Sequence, residues 1–223
     1  MRPTFTCLLE PGDGYRGGEH FFTKKHIEST GSQGTEPPVI LVPEQETADL
    51  EGDPDTAPTG LARAIAFFLV SASAQLILEP KMQLESQNFL CHTSHRKSEH
   101  DKLRALIARF ISRFEDELDR KSGEAPNLVA WAHAELVRTL QEPPPLDEIV
   151  EDLLDRLPRR KIRVVNSEGK SSEETKGAPN FIVGGNIVGR GLTIPNLLTT
   201  YYMRRPNVSQ MDTMLQHARM FGY

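Results

Sequence analysis

Apolar positions follow a helical repeat most clearly over residues 59–78, a stretch that is apolar almost throughout. Thr59 follows a proline and is a candidate amino-terminal cap, and the repeat ends before Pro80. This pattern predicts a mostly buried helix. Residues 1–58 are instead rich in Gly, Pro, Thr and acidic side chains, and their short apolar run at 39–42 is long enough for one strand. We therefore expect a loop-rich lead-in before a folded domain.

Later in the chain, short apolar runs bounded by polar turns are typical of buried strands. They lie at residues 88–93, 161–166, 180–185 and 197–202. Strands separated by helices and loops predict an α/β domain over residues 59–223, with a mostly parallel sheet that binds ligands at its strand ends.

Amphipathic segments fill the interval between the first two predicted strands. They lie at residues 98–120, 126–140 and 146–157, with a Gly-containing turn and a run of three prolines between them. We interpret residues 98–157 as a helical insertion in the α/β domain. A final helix is predicted at about residues 208–219.

Composition limits the classes of partner. The chain has 223 residues, a hydrophobic fraction of 38% and a net charge of −5, so no global charge attracts a polyanion. Any nucleic-acid contact must come from local basic groups, and the best are residues 159–161 with Arg163, and the pair Arg204 and Arg205. Two cysteines, no apolar run of the length that spans a bilayer and no signal-peptide pattern predict a cytoplasmic protein with no membrane partner.

The segment from residue 181 to residue 223 carries the clearest chemistry. Gly189 and Gly191 flank Arg190, and glycines at such a turn let the backbone approach a phosphate closely. Arg219, near the end of the predicted final helix, could offer a planar cationic fork to a γ-phosphate on a facing domain. Gln216 lies one helical turn earlier, on the same face as Arg219.

This order of Arg-Gly after a strand, a further strand and Gln-x-x-Arg on a helix resembles motifs five and six in the second RecA-like domain of superfamily-two helicases. More narrowly, residues 184–186, 189–194 and 216–223 resemble the Z1 domain, a family described as endonucleases and found with helicase modules in restriction-like bacterial defence proteins. Residues 17–22 and 90–94 resemble its earlier blocks, so the resemblance covers most of the chain and is specific in about the last forty residues.

The resemblance implies a RecA-like domain with a role for each motif residue. Arg219 and Arg190 would reach ATP and Mg²⁺ held mainly by an amino-terminal RecA-like ATP-binding domain, and Gln216 would position that face. Gly189, Gly191 and Thr193 would contact the nucleotide. Because this chain has no phosphate-binding loop, we expect it to hold no complete active site and to be inactive alone.

DNA is the expected polymer partner. The residues expected to contact it lie at the ends of predicted strands or just after them: His92, Thr93, Ser94, Arg204 and Arg205.

Two departures from the family pattern stand out. Ala218 replaces the glycine usual before the motif-six arginine, and no arginine follows Tyr223 in the sequence.

Other interpretations remain open. A metal-dependent endonuclease would need carboxylates and a lysine on adjacent strands, whereas Asp55 lies in a Pro/Gly loop and Glu79 ends the first helix. The spacing of Cys91, His92 and the nearby histidines matches no standard zinc pattern. A noncatalytic interaction module, docking through the insertion helices, is the third alternative. In that case Arg190 is an ordinary loop arginine, and the positive charge of Arg219 stabilises the carboxyl end of its helix by interacting with the helix dipole.

Overall fold

The structure, a computed structural model, describes residues 40, 42–43, 45–52, 54–92, 97–138, 140–165, 176–184 and 194–202. Its helices are α1 (Gln45–Glu51), α2 (Thr59–Leu78), α3 (Lys97–Asp119), α4 (Ala125–Leu136) and α5 (Leu146–Arg156), with 3₁₀ turns at Pro80–Leu84 and Leu157–Arg159. The strands are β1 (Gln87–His92), β2 (Lys161–Val165), β3 (Pro179–Gly184) and β4 (Leu197–Tyr202). The predicted final helix at residues 208–219 lies outside the described residues.

The four described strands form one sheet in the order β2-β3-β1-β4, and every neighbouring pair runs parallel. The two central strands, β1 and β3, are buried along their whole length. Strands buried on both faces need continuous apolar runs, and this is why the sequence shows runs rather than strict alternation here. The expected α/β architecture with a parallel sheet is confirmed.

The main core lies between one face of the sheet and the helices. Three aromatic rings meet at its centre. The ring centroid of Phe68 in α2 lies 5.6 Å from that of Phe89 and 5.2 Å from that of Phe181. On the other face of the sheet, Leu90, Ile182 and Val165 form a smaller buried cluster. Successive residues of a strand point to opposite faces, so β1 and β3 contribute to both clusters.

Helix α2 is the central helix of the core, and its predicted bounds are confirmed. Thr59 is not its cap, because Pro58 holds that position and no side chain caps the helix there. The expectation that no apolar run reaches membrane-spanning length was wrong: in the described part of the chain, α2 is long and apolar enough by those measures. Its 18-residue apolar window is 61% buried inside the fold, however, as expected of a core helix.

The three amphipathic segments are helices, as predicted, and they form the connection from β1 to β2. Their apolar faces join the same core as the sheet, through residues such as Ile107, Phe114, Val129 and Leu153. The interpretation of this region as an insertion therefore describes its place in the sequence. In space, α3 packs on β2 and β3, while α4 and α5 pack mainly on α2 and α3.

A buried polar network ties the amino end of β1 to two helices. Arg156, at the end of α5 and 3% exposed, is its centre. Its guanidinium donates to Asp152 Oδ2 at 2.7 Å, to Gln87 Oε1 at 2.7 Å and to Ser73 Oγ at 2.9 Å. These bonds join α5, β1 and α2, and we call these four residues the amino-edge network.

Candidate functional site at the carboxyl edge of the sheet

The carboxyl ends of all four described strands line up in one row. His92 is paired with Gly184 on one side and with Tyr202 on the other, and Gly184 is paired in turn with Val165. Each of these residues is the last of its strand. In open parallel sheets, ligands bind just beyond such an edge, so this row marks the candidate site.

The sequence-predicted site residues follow this row along the chain. Thr93 and Ser94 come directly after His92, and Arg204 and Arg205 come just after Tyr202. The glycine-rich turn follows Gly184 at the end of β3, and its predicted residues are Gly189, Arg190, Gly191 and Thr193. All of these residues except His92 lie outside the described ones, as do Gln216 and Arg219. The strand ends therefore start three of the predicted segments at one edge, and the positions of the segments themselves stay predictions.

His92 is the one predicted contact whose side chain is described. It is 0% exposed, and its ring stacks on that of Tyr202 with centroids 5.0 Å apart and planes 14° apart. Tyr202, at 37% exposure, is the outer member of this pair. In this conformation a ligand at the edge meets Tyr202 before it meets His92.

Cys91 and His92 are consecutive in β1 and so belong to opposite faces of the sheet. Cys91 is fully buried in the main core, and this burial raises the pKa of its thiol far above the ordinary range. A thiol kept neutral by burial is neither a good nucleophile nor a ready metal ligand. Among the described residues, no group of three or more His, Cys, Asp or Glu is arranged to hold a metal ion.

The basic residues at 159–161 lie at the other end of the sheet, because Lys161 is the first residue of β2. Arg159 donates to Asp155 Oδ2 at 2.5 Å, and Arg160 is paired with Glu115 and also donates to Ser112 Oγ at 2.8 Å. The patch therefore lies away from the carboxyl edge, and its two arginines already have carboxylate partners; its use for phosphates stays a prediction.

A carboxylate lies beside the candidate edge. Glu46 of α1 is 5% exposed, accepts a hydrogen bond from the Gly60 backbone N–H at 2.5 Å, and accepts another from the Tyr201 hydroxyl at 2.9 Å. Gly60 belongs to the first turn of α2, where a negative charge is favoured by the helix dipole. Burial, together with Glu46, raises the pKa of Tyr201.

This contact shows how α2 lies against the sheet. Near its carboxyl end, Gln75 is bonded to Asn196 just before β4, with Nε2 to Oδ1 at 3.2 Å. Its first turn is connected through Glu46 to Tyr201, near the end of β4. Helix α2 therefore runs antiparallel to the strands, with its amino terminus at the carboxyl edge.

The residues that imitate a nuclease signature do not form one. Asp55 lies in a bend between α1 and α2, and Glu79 is the carboxyl-terminal cap of α2. Glu79 forms an exposed ion pair with Lys81, with Nζ at 3.6 Å from Oε2. Neither carboxylate lies on a strand, as the sequence already indicated. The Gly-Lys-Ser run at residues 169–171 lies outside the described residues.

Comparison with known proteins identifies the family. The model of the Z1 domain matches residues 60–223, well over half of the chain. The chain belongs to the Z1 domain family. Neither the curated proteins nor the solved structures gave a match. The match begins in the first turn of α2 and includes all four described strands of this Z1 domain, so the carboxyl edge lies inside the family region.

Two features of this Z1 domain were missed by sequence reasoning. Tyr202 was assigned only to a strand, although a strand-terminal aromatic just before two arginines could have drawn attention to it. Helix α1 was expected to be loop or strand; instead Ile40 and Val42 are outside regular structure and the helix begins at Gln45. Its seven residues, QETADLE, show too few apolar positions for a helical repeat to be recognised.

Proposed function

We propose that this Z1 domain is the carboxy-terminal motor half of a nucleic-acid-dependent ATPase, of the helicase or translocase kind. The observation that carries the proposal is the row of strand ends, Val165, Gly184, His92 and Tyr202. The segments bearing Arg190 and Arg204 follow two of these strand ends in the sequence, and open parallel sheets commonly bind ligands just beyond such an edge.

The proposed division of labour has two parts. ATP and Mg²⁺ are held mainly by a second, amino-terminal RecA-like domain, and Arg219 with Arg190 supplies positive charge to the phosphates across the cleft. DNA lies along the carboxyl edge, where Arg204 and Arg205 neutralise backbone phosphates. Nucleotide-dependent closure of the two domains then moves the bound strand. The resemblance of the segment from residue 181 to residue 219 to helicase motifs five and six supports this choice.

The DNA part of the proposal is tested by the salt dependence of single-strand binding to the 223-residue chain. Each phosphate neutralised on a single strand contributes about 0.7 to the slope of log affinity against log salt. Replacing both Arg204 and Arg205 with alanine should therefore lower that slope by about 1.4 and weaken binding to all sequences alike.

Arg113→Ala combined with Arg120→Ala is the matched control. Both of these arginines are exposed, and they lie on the part of the chain that meets the amino end of β2, where Arg160 is bonded to Ser112 and Glu115. Their loss removes the same charge from a surface away from the carboxyl edge, so the slope should stay unchanged. An equal change of slope in the two double variants would mean that the carboxyl edge is not where DNA binds.

A further inference from the structure

The carboxyl edge carries an exposed aromatic side chain that none of the predicted roles uses. Tyr202 ends β4, one of the two edge strands of the described sheet, and is 37% exposed. The other exposed large apolar side chains in the described part of the chain are aliphatic: Ile40, Leu78, Leu84, Val137 and Leu146. Tyr202 is therefore the exposed aromatic side chain of the described residues that a ligand at the carboxyl edge would meet.

The ring of Tyr202 is already fixed in orientation. His92 lies beneath it, with ring planes 14° apart and centroids 5.0 Å apart, and His92 itself is 0% exposed within a central strand. Tyr202 and His92 are also paired residues of the neighbouring strands β4 and β1. The backbone pairing and the ring stacking therefore both fix the orientation of the Tyr202 ring. A side chain held in this way loses little conformational entropy when a second flat group stacks on it.

The residues that follow Tyr202 in the sequence favour one kind of flat group. Arg204 and Arg205 follow Tyr202 by two and three residues, and they are the proposed phosphate contacts. Proteins that bind single strands combine cationic groups along the backbone with aromatic side chains on which bases stack. A nucleobase is flat, aromatic and attached to a phosphate, so it suits both features at once.

We propose that Tyr202, supported by His92, is a stacking platform for an unpaired nucleobase of a single DNA strand. This inference rests on the proposed function. It goes further by naming the part of the DNA strand, an unpaired base, that Tyr202 contacts. The same chemistry is present in the base of a free nucleotide, so the experiment includes both sources.

The test uses the 223-residue chain and a single-stranded oligonucleotide of about 16 nucleotides that contains one 2-aminopurine. Stacking quenches the fluorescence of this base. Tyr202→Phe keeps the flat ring and should retain both affinity and quenching. Tyr202→Leu keeps apolar bulk without the ring, and it should weaken binding by roughly 5- to 150-fold and abolish the quenching.

A second measurement leaves the protein unchanged, in case the leucine variant fails to fold. An oligonucleotide with abasic sites in place of its bases should bind the wild-type chain more weakly, by a factor in the same range. If the leucine variant folds and quenches like the wild type, or if the abasic strand binds as well as the intact one, the platform is refuted while the proposed function stands.

Two further outcomes are informative. If 2-aminopurine riboside triphosphate is quenched in a Tyr202-dependent manner while the oligonucleotide is not, the stacked base belongs to the nucleotide and the assignment to the strand is wrong. If the wild-type chain binds no single strand at all, both the platform and the DNA part of the proposed function are wrong.

Discussion

Loss of the buried Arg156 guanidinium should weaken the fold more than loss of any exposed arginine. Replacing Arg156 with methionine keeps an unbranched apolar stem and removes three hydrogen bonds. Two of the abandoned partners, Ser73 and Gln87, are 0% exposed, so water does not replace the lost donor. Asp152 is 23% exposed and can be hydrated instead.

The size of the effect follows from these partners. A buried polar group left without its partner costs about 1–3 kcal/mol, and breaking a buried ion pair from one side costs about 3–5 kcal/mol. Because Gln87 also donates to the Ala72 carbonyl at 2.8 Å and to Gln75 Oε1 at 3.1 Å, its position is not lost entirely. We expect Arg156→Met to lower the free energy of unfolding by about 3–4 kcal/mol, a large share of the stability of an ordinary domain.

Urea unfolding followed by far-ultraviolet circular dichroism measures this difference. Arg159→Met is the matched control, since Arg159 lies three residues further on, forms its own i,i+4 pair with Asp155 and is 55% exposed. Exposed pairs of this kind contribute about 0–1 kcal/mol, so the control should change stability little. If the two variants are destabilised equally, the amino-edge network does not hold the helices to the sheet as described.

Other predictions concern the remaining buried groups. A Cβ on Gly60 would lie 2.6 Å from Glu46 Oε2, so Gly60→Ala should lower the free energy of unfolding by about 1 kcal/mol. In a Glu46→Ala background the same substitution should raise the free energy of unfolding by about 0.5–1 kcal/mol, because the clash is gone and alanine favours a helix. A change of the same sign in both backgrounds would refute the contact. Burial raises the pKa of Cys91 above its ordinary 9.0, so only the unfolded chain ionises this thiol as the pH rises through 9. The free energy of unfolding should therefore be about 1.4 kcal/mol lower at pH 10 than well below pH 9. Cys91→Ala should lack this loss when urea titrations at pH 8 and pH 10 are compared. The pKa of Tyr201 is likewise raised above 10.0, so Tyr201→Phe should reduce the further loss of stability above that pH, and unchanged curves would contradict the assignment.

Much of the fold followed from local patterns in the sequence. The bounds of α2 and of β4 were predicted to the residue, because a helical repeat and a bounded apolar run are properties of neighbouring positions. The amphipathic segments that became α3, α4 and α5 were predicted for the same reason. Parallel pairing was inferred from the alternation of strands and helices, which leaves few other topologies.

Contacts between distant positions could not be predicted in this way. Arg156 and Gln87 are 69 residues apart, and Glu46 and Tyr201 are 155 apart. Nothing in the local sequence marks Arg156 as buried, since it ends an acidic amphipathic helix with exposed charges around it. The location of the candidate site at the strand ends was predictable, whereas the stacking of Tyr202 on His92 depends on the register between β1 and β4.

The most direct test of the motor proposal is DNA-stimulated ATP hydrolysis by a protein that carries this chain together with an ATP-binding RecA-like domain. Arg219→Ala is compared with the wild type and with Arg113→Ala, an exposed arginine of α3 near the amino end of β2. If Arg219 acts on the phosphates across the domain interface, its loss should lower turnover by about 1,000-fold or more with nucleotide binding largely retained, while the control keeps wild-type turnover. Unchanged turnover in Arg219→Ala would contradict the motor proposal and favour an interaction module.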